Sequence, residues 1–293
     1  MPLNFEPISL DRQNEYLKYF SKFPQKASDY SFVNLWGWAD AYGLYWSLSD
    51  QMVLIKQTIP NEVFWAPVAV WSDIDWNLCF DRYFNSKTAF MRVPEDLAVL
   101  WEEKIGDRIL IEESREHWDY LYDVNELIQL SGRRFHNKKN LLNQFKKNYD
   151  FQFVPLDMEM IDMAMSMQEA WCTWHDCESF DALAAENLAI SRVLNSWEKL
   201  KGLTGGAILV DGKMAAYTIA EPLSEDILVI HFEKGNVDFK GVYQALNQMF
   251  LEYFGQNFKI VNREQDLGDS GLRKAKLSYN PSEFLKKYRV NLK

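Results

Sequence analysis

The sequence lacks any run approaching the roughly 20 consecutive apolar residues that a membrane helix needs. It also lacks Gly/Ser linkers and low-complexity tracts, so any two domains are expected to pack rather than hang on a tether. Cysteine is scarce: there are three, an odd number, with Cys79 far from the other two. That excludes a disulfide scaffold and points to free thiols in a reducing compartment. Residues 1–11 carry Glu6 and Asp11 and no basic residue, with no apolar stretch behind them. This is not the pattern of a secretory signal, so a cytoplasmic location is expected. Gly-x-Ser-x-Gly, the P-loop and the dinucleotide fingerprint are all missing. Common serine hydrolases, P-loop NTPases and Rossmann dehydrogenases are thereby set aside. Cys172-x-x-His175-x-Cys177 matches no common zinc spacing, so core cysteines and no metal are expected.

What is present is ordinary for a folded protein. The chain has 293 residues, 47% apolar and 25% charged. At roughly 150 residues per domain this suggests two domains, with enough chain to bury a core without staples. Aromatic residues reach 15%, including 11 Trp, which suit wide inter-element spaces or the lining of a cleft. The net charge of −10 argues against a surface that coats nucleic acid everywhere. Its distribution says more. Residues 127–149 hold Arg133, Arg134, Lys138, Lys139, Lys146 and Lys147 and no acid. Residues 271–293 hold seven basic residues against Glu283 alone. Each segment is +6, leaving −22 on the rest. An acidic body with two basic segments fits local recognition of an anion or polyanion, or two solvated helix faces.

Periodicity predicts helices over 10–23, ended by Pro24, and 31–42, then strands over 44–48, 52–57 and 63–70. Helices at 73–85 and 94–104 flank a strand at 89–93, and strands follow at 108–112 and 119–124. The second half reads as a basic helix (131–148), a strand (151–155) and two helices (157–174, 181–200). Strands at 203–210 and 213–220 are joined by Asp211-Gly212, a strong hairpin signal. A strand (226–233), a helix (241–254), a strand (258–262), a short helix (270–277) and a last helix–strand segment (284–292) complete it. This order resembles the GNAT acyltransferase fold, and the first half reads similarly. The expected class is α+β, with two tandem GNAT-like domains at 1–130 and 131–293 and mixed sheets covered by helices.

Three stretches carry candidate chemistry. Strict alternation along 226–233 puts Leu228, Ile230 and Phe232 on one face and Val229, His231 and Glu233 on the other. A His and a Glu ending a central strand suit proton transfer, or else a structural ion pair and a satisfied imidazole. The following loop, with Lys234, Asn236 and Tyr243, leads into a helix where GNAT enzymes hold pyrophosphate. Here Asp238 stands at the basic position and Tyr243 at the small one, so acetyl-CoA fits poorly while another anion remains possible. The third stretch, Asn262-Arg263-Glu264-Gln265-Asp266, precedes a helix with Arg273, Lys274 and Lys276 near its start. Basic residues there oppose the helix dipole unless an anion is bound; an ion network is the alternative.

Together these stretches resemble a known family. His231-Phe-Glu-Lys-Gly235, Gly241-Val-Tyr243, Asn262-Arg-Glu-Gln-Asp-Leu-Gly268 and Leu272-Arg-Lys-Ala-Lys276 are similar to its C-terminal signature. Tyr120-Leu-Tyr-Asp-Val and Leu130-Ser-Gly-Arg-Arg-Phe-His-Asn-Lys-Lys139 are similar to its central block. The family is the bacterial one related to the C-terminal catalytic domain of phosphatidylglycerol lysyltransferase, kin to the Fem-type peptidyltransferases. The resemblance implies aminoacyl transfer from aminoacyl-tRNA to an amine or hydroxyl, on a lipid headgroup or a soluble small molecule, with no resident cofactor. It implies phosphate contacts at Arg133, Arg134, Lys138 and Lys139, with His231, Glu233 and Arg263 lining the acceptor pocket. A CoA-dependent N-acyltransferase and a non-catalytic binding module are the alternatives.

Overall fold

A computed structural model describes residues 3–23 and 26–293. The helix stop expected at Pro24 lies outside the described residues. The chain divides into two compact units. The first runs up to Asp119 and takes back Gln265–Asp269 and Leu285–Lys293. The second comprises Tyr120–Glu264 and Ser270–Phe284.

The first unit contains β1 (Glu6–Pro7), α1 (Gln13–Phe20), α2 (Phe32–Tyr42), β2 (Leu44–Leu48) and β3 (Met52–Gln57). It continues with β4 (Val63–Trp65), β5 (Val68–Ala69), α3 (Trp76–Tyr83), β6 (Ala89–Pro94), α4 (Glu95–Ile105) and β7 (Ile109–Glu113). The second unit contains β8 (Asp119–Asp123), α5 (Val124–Gln129), α6 (His136–Asn148), β9 (Phe151–Pro155), α7 (Met158–His175) and α8 (Asp181–Asn195). Then follow β10 (Thr204–Val210), β11 (Lys213–Pro222), β12 (Ile227–Gly235), α9 (Val242–Phe254), β13 (Ile260–Asn262), α10 (Ser270–Leu277) and β14 (Glu283–Leu285). The final strand, β15 (Lys287–Leu292), joins the first sheet.

Both sheets are mixed, and the helices cover them, as the α+β class requires. The first has the order β1-β2-β3-β4-β6-β15-β7, with β5 on β3 and β4 parallel to β6. The second has the order β14-β8-β13-β12-β11-β10-β9, with β12 and β13 parallel. The aromatic wealth goes mainly to the first core: Trp46, Trp65 and Trp101 are buried, and Trp101 meets Phe80 and Phe90 near edge-on.

Three details depart from the sequence reading. The division falls after Asp119 rather than after residue 130, because β8 pairs with β13 in the second sheet. No helix occurs at 284–292; that segment forms β14 and β15, and β15 is fixed between β6 and β7 by long-range ladders. Cys172 and Cys177 are not free thiols but a disulfide spanning the end of α7, while Cys79 is free and buried. His175 stacks on Trp171 beside that disulfide.

The second sheet opens where the candidate residues lie. Strands β12 and β13 pair only at Ile227↔Ile260, Leu228↔Val261 and Val229↔Asn262. Beyond Asn262 the chain leaves β12, which runs on to Gly235. Two parallel strands that part at their C-terminal ends leave a crevice, the usual place for a ligand in such sheets.

Candidate active site

Glu233 and His231 on β12 meet Arg263 and Glu264, respectively, from the segment after β13 at this opening. The first feature is a β-bulge. On β11, Ile219 pairs with Phe232 and Ala220 with Ile230, leaving His231 as the extra residue. A bulge re-aims the side chains beyond it. Leu228 and Ile230 lie in the core cluster with α9, and Glu233 also meets α9, through Asn247. The face therefore changes from even to odd positions across His231. Strict alternation, which groups His231 with Glu233, fails for this physical reason.

Glu233 is ion-paired. Its Oε2 accepts from Arg263 Nη2 and its Oε1 from Asn247 Nδ2 at 3.2 Å. The carboxylate is thus a partner that holds a guanidinium in place, rather than an isolated base. Arg263 is nearly buried, and two of its nitrogens, Nε and Nη1, have no hydrogen-bond partner among the described residues. Burial works against its charge, but Glu233 outweighs this and keeps it firmly protonated. The guanidinium lies 4.6 Å from the Tyr279 ring centroid and 5.7 Å from that of Tyr122. The Lys138 ammonium lies 3.9 Å from the same Tyr279 ring. Gln244 Nε2 donates to the Tyr279 hydroxyl at 3.2 Å. Burial drives the Tyr279 phenol above its ordinary value, against the pull of Arg263. Lys276 Nζ donates to the Arg263 carbonyl at 2.6 Å. The structure therefore brings together Glu233, Arg263, Lys138 and Lys276.

His231 is held separately. Its Nδ1 lies 2.7 Å from Glu264 Oε1 and its Nε2 lies 3.0 Å from Glu221 Oε1. Burial alone would lower its pKa, but the two carboxylates override that and hold it up at about 9. Glu264 adopts φ +56, and its amide donates to the Asn262 side chain at 2.8 Å. A left-handed conformation costs a residue with Cβ and is kept only where its surroundings demand it.

The remaining candidates fall elsewhere. Lys234 Nζ pairs with Glu186 at 2.7 Å and sits 3.8 Å from the Trp171 ring centroid. Tyr243 closes on the Gly235 backbone, accepting from its amide at 3.1 Å and donating to its carbonyl at 3.2 Å. Asn236 caps its own turn by accepting from the Asp238 amide. Arg133 and Lys139 are exposed, and Arg134 pairs with Glu126. Asp266 belongs to the first unit, fully buried, where it accepts from Gly268 N and pairs with Arg115. In α10, Lys274 and Lys276 occupy the last turn, not the first. Basic residues there complement the helix dipole, so Lys274 and Lys276 call for no compensating anion at that N-terminus.

The loop before α9 is already occupied internally. The amides of Asp238, Phe239, Lys240 and Val242 donate to Asn236 Oδ1, Asn236 O, Tyr149 Oη and Phe239 O. Gly241 is needed for packing: at φ +91, a Cβ would stand 2.3 Å from Leu141 O in α6. These N–H groups are therefore not free to cradle a pyrophosphate.

Sequence reasoning missed Glu221, Asn247, Tyr279 and Gln244. A signal existed for Asn247, a buried amide on a helix whose other buried residues are mostly apolar. Tyr279 lies in an irregular turn and gave none.

A family profile described as "Phosphatidylglycerol lysyltransferase, C-terminal" matches residues 20–291. An uncharacterised protein of Mycoplasmoides gallisepticum is 26% identical over 195 residues, covering 66% of this chain. The matched part spans 61% of that relative's length. The crystal structure of a conserved protein of unknown function from Bacteroides thetaiotaomicron superposes with a TM-score of 0.88 at 27% identity, covering 99% of this chain and all of the other. The C-terminal domain of a putative lysylphosphatidylglycerol synthetase from Agrobacterium fabrum superposes with a TM-score of 0.68, covering 97% and 92% of the two chains. At 12% identity that last likeness speaks for the fold alone. Given a profile match over almost its whole length, this chain belongs to the phosphatidylglycerol lysyltransferase C-terminal family.

Proposed function

We propose that the second unit transfers an amino acid from aminoacyl-tRNA to an amine or hydroxyl acceptor, either a lipid headgroup or a soluble small molecule. Family membership supports aminoacyl transfer in general. The observation that carries the finer reading is Arg263, fixed by Glu233 at the strand opening with Nε and Nη1 unpartnered. An aminoacyl ester is already activated, so its transfer needs orientation and donors for the developing oxyanion. Two buried N–H groups awaiting an acceptor supply the donors. The exposed Arg133 and Lys139, beside this cluster in sequence, suit the phosphates of an acceptor stem. No described helix is long and apolar enough to cross a membrane. A cytoplasmic setting, where charged tRNA is available, belongs to this proposal. The internally bonded loop before α9 counts against CoA as donor.

The test is transfer of radiolabelled amino acid from a mixed charged-tRNA pool to lipid vesicles or polyamines. Wild-type protein is expected to transfer. Arg263→Ala is expected to lower the rate about 10²–10³-fold, as loss of an oxyanion donor does. Transfer from acetyl-CoA but not from tRNA would replace this reading with the N-acyltransferase one. Indifference to both donors would leave a binding module.

A further inference from the structure

We propose that Lys138 is the proton carrier of this reaction, accepting the proton of the attacking amine or hydroxyl and returning it to the departing ribose oxygen. The inference rests on the aminoacyl-transfer reading. It separates Lys138 from the phosphate-binding role that its neighbours in sequence suggest.

The separation is geometric. Arg133, Lys139, Lys146 and Lys147 are exposed, and Arg134 is committed to Glu126. Lys138 is half-buried, and its Nζ stands over the ring of Tyr279, which Arg263 also approaches. No carboxylate among the described residues lies within ion-pair distance of it. The groups facing it are Tyr279, then Arg263, with Glu233 already engaged by Arg263. On its own helix the buried neighbours, Leu142 and Phe145, are apolar. An ammonium desolvated beside a second cation and without a counter-ion favours losing its proton. Burial first, and Arg263 second, push Lys138 down to about 8. An amine there gains and loses protons readily near neutrality, as a general base must.

The step balances without a further reagent. The acceptor nitrogen or oxygen bonds the ester carbonyl carbon, and its proton moves to neutral Lys138 Nζ. Arg263 Nε and Nη1 are placed to hold the oxyanion. The C–O bond to the ribose breaks as Lys138 ammonium protonates that oxygen. An amide or ester and uncharged tRNA leave, and Lys138 is neutral again.

The experiment is single-turnover transfer between pH 6 and 10 by wild type, Lys138→Arg and Lys138→Met, with tRNA affinity measured alongside. The wild-type rate should rise through a limb near pH 8. Both variants should lose 100-fold or more in rate and lose the limb, while Lys138→Arg keeps its tRNA affinity. Lys138→Arg transferring at the wild-type rate with the same limb would overturn the proposal and return Lys138 to phosphate binding. If wild type transfers from no charged tRNA, the donor reading itself fails, and the role of Lys138 with it. A second measurement is free of variant misfolding: pH-dependent reductive methylation of wild-type protein, read by mass spectrometry at Lys138. Half-labelling near pH 8 supports the assignment; labelling in the ordinary lysine range, about 10.4, overturns it.

Discussion

The two units bury charge in different ways. In the first, Lys287 Nζ is completely buried between Asp29 and Asp119, at 2.6 Å from Asp119 Oδ1. Asp29 also receives Arg92 and Gln265, and Asp119 receives both the amide and the hydroxyl of Ser28. Both carboxylates are saturated. In the second, Lys138 faces a ring instead of a carboxylate, and Arg263 keeps two donors unpartnered. A network whose carboxylates are all engaged fixes a strand in place and offers no free acceptor, although Arg92 Nε within it has no hydrogen-bond partner among the described residues. An incomplete one costs stability and is retained where a ligand completes it. The difference that bears on function is the lysine: Lys287 is enclosed by two carboxylates, whereas Lys138 faces an aromatic ring.

The sharpest way to break this comparison is Lys287→Met. It leaves two buried carboxylates without their shared cation, at a cost of about 3–5 kcal/mol. Hydrogen exchange resolved by segment should show the loss in β6, β7 and β15. Burial opposes ionisation of Asp29, but Lys287 and Arg92 outweigh it and hold its pKa below the ordinary range. Its contribution is therefore present above the unfolded value near 3.9 and is lost as pH falls through the depressed one. If Lys287→Met leaves the first unit unchanged, the closed network is not what holds β15. A smaller loss, about 1–3 kcal/mol from the backbone alone, is expected for Gly241→Ala, where φ is +91 and Leu141 O lies in the way. Here exchange should quicken in α6 and α9 only.

Histidines sharpen the contrast further, because their shifts have opposite signs. His117 in the first unit is pushed down to about 4, by burial first and by Arg92 next. Its neutral form stabilises the fold above about 6.5, and that is lost as pH falls from 6.5 toward 4. His231 in the second unit is held up at about 9. Its contribution is complete below about 6.5 and is lost as pH rises through 9. Each effect has an upper bound on the order of 3 kcal/mol. Acid should loosen the first unit before the second, and mild alkali the reverse. Exchange at pH 5 and pH 9.5 checks both, and His231→Gln should flatten the alkaline limb alone.

Much of this was legible in the sequence where local signals govern. The Asp211-Gly212 turn appears with positive φ at both residues, joining β10 to β11. The apolar stripe of α9 and the strand carrying Glu233 were readable from period alone. The rest depends on long-range partners. Lys287 reads as part of a basic tail, and only its two distant aspartates make burial possible. The bulge at His231 has no local mark, since Ile230-His231-Phe232 alternates acceptably, and it reverses which side chains share a face. Tyr279 brings Lys138 and Arg263 together from a turn without periodicity, so the site's composition could be guessed but not its assembly.

The smallest expected effect concerns the exposed basic residues, and it tests whether they act as phosphate contacts at all. Arg133 and Lys139 are exposed and make no contact that the cluster needs. Replacing either by Gln should leave the fold and the Glu233–Arg263 pair untouched. If each neutralises one phosphate, each substitution should flatten the dependence of tRNA affinity on salt by about one unit of logarithmic slope. Loss at low salt should be slight and should not depend on which amino acid the tRNA carries, because phosphate contacts position without reading sequence. Arg263→Ala should behave oppositely, reducing transfer while leaving that slope in place. Equal slopes for wild type, Arg133→Gln and Lys139→Gln would make the start of α6 a solvated surface. The incomplete cluster around Arg263 would then have to engage its donor without help from this helix.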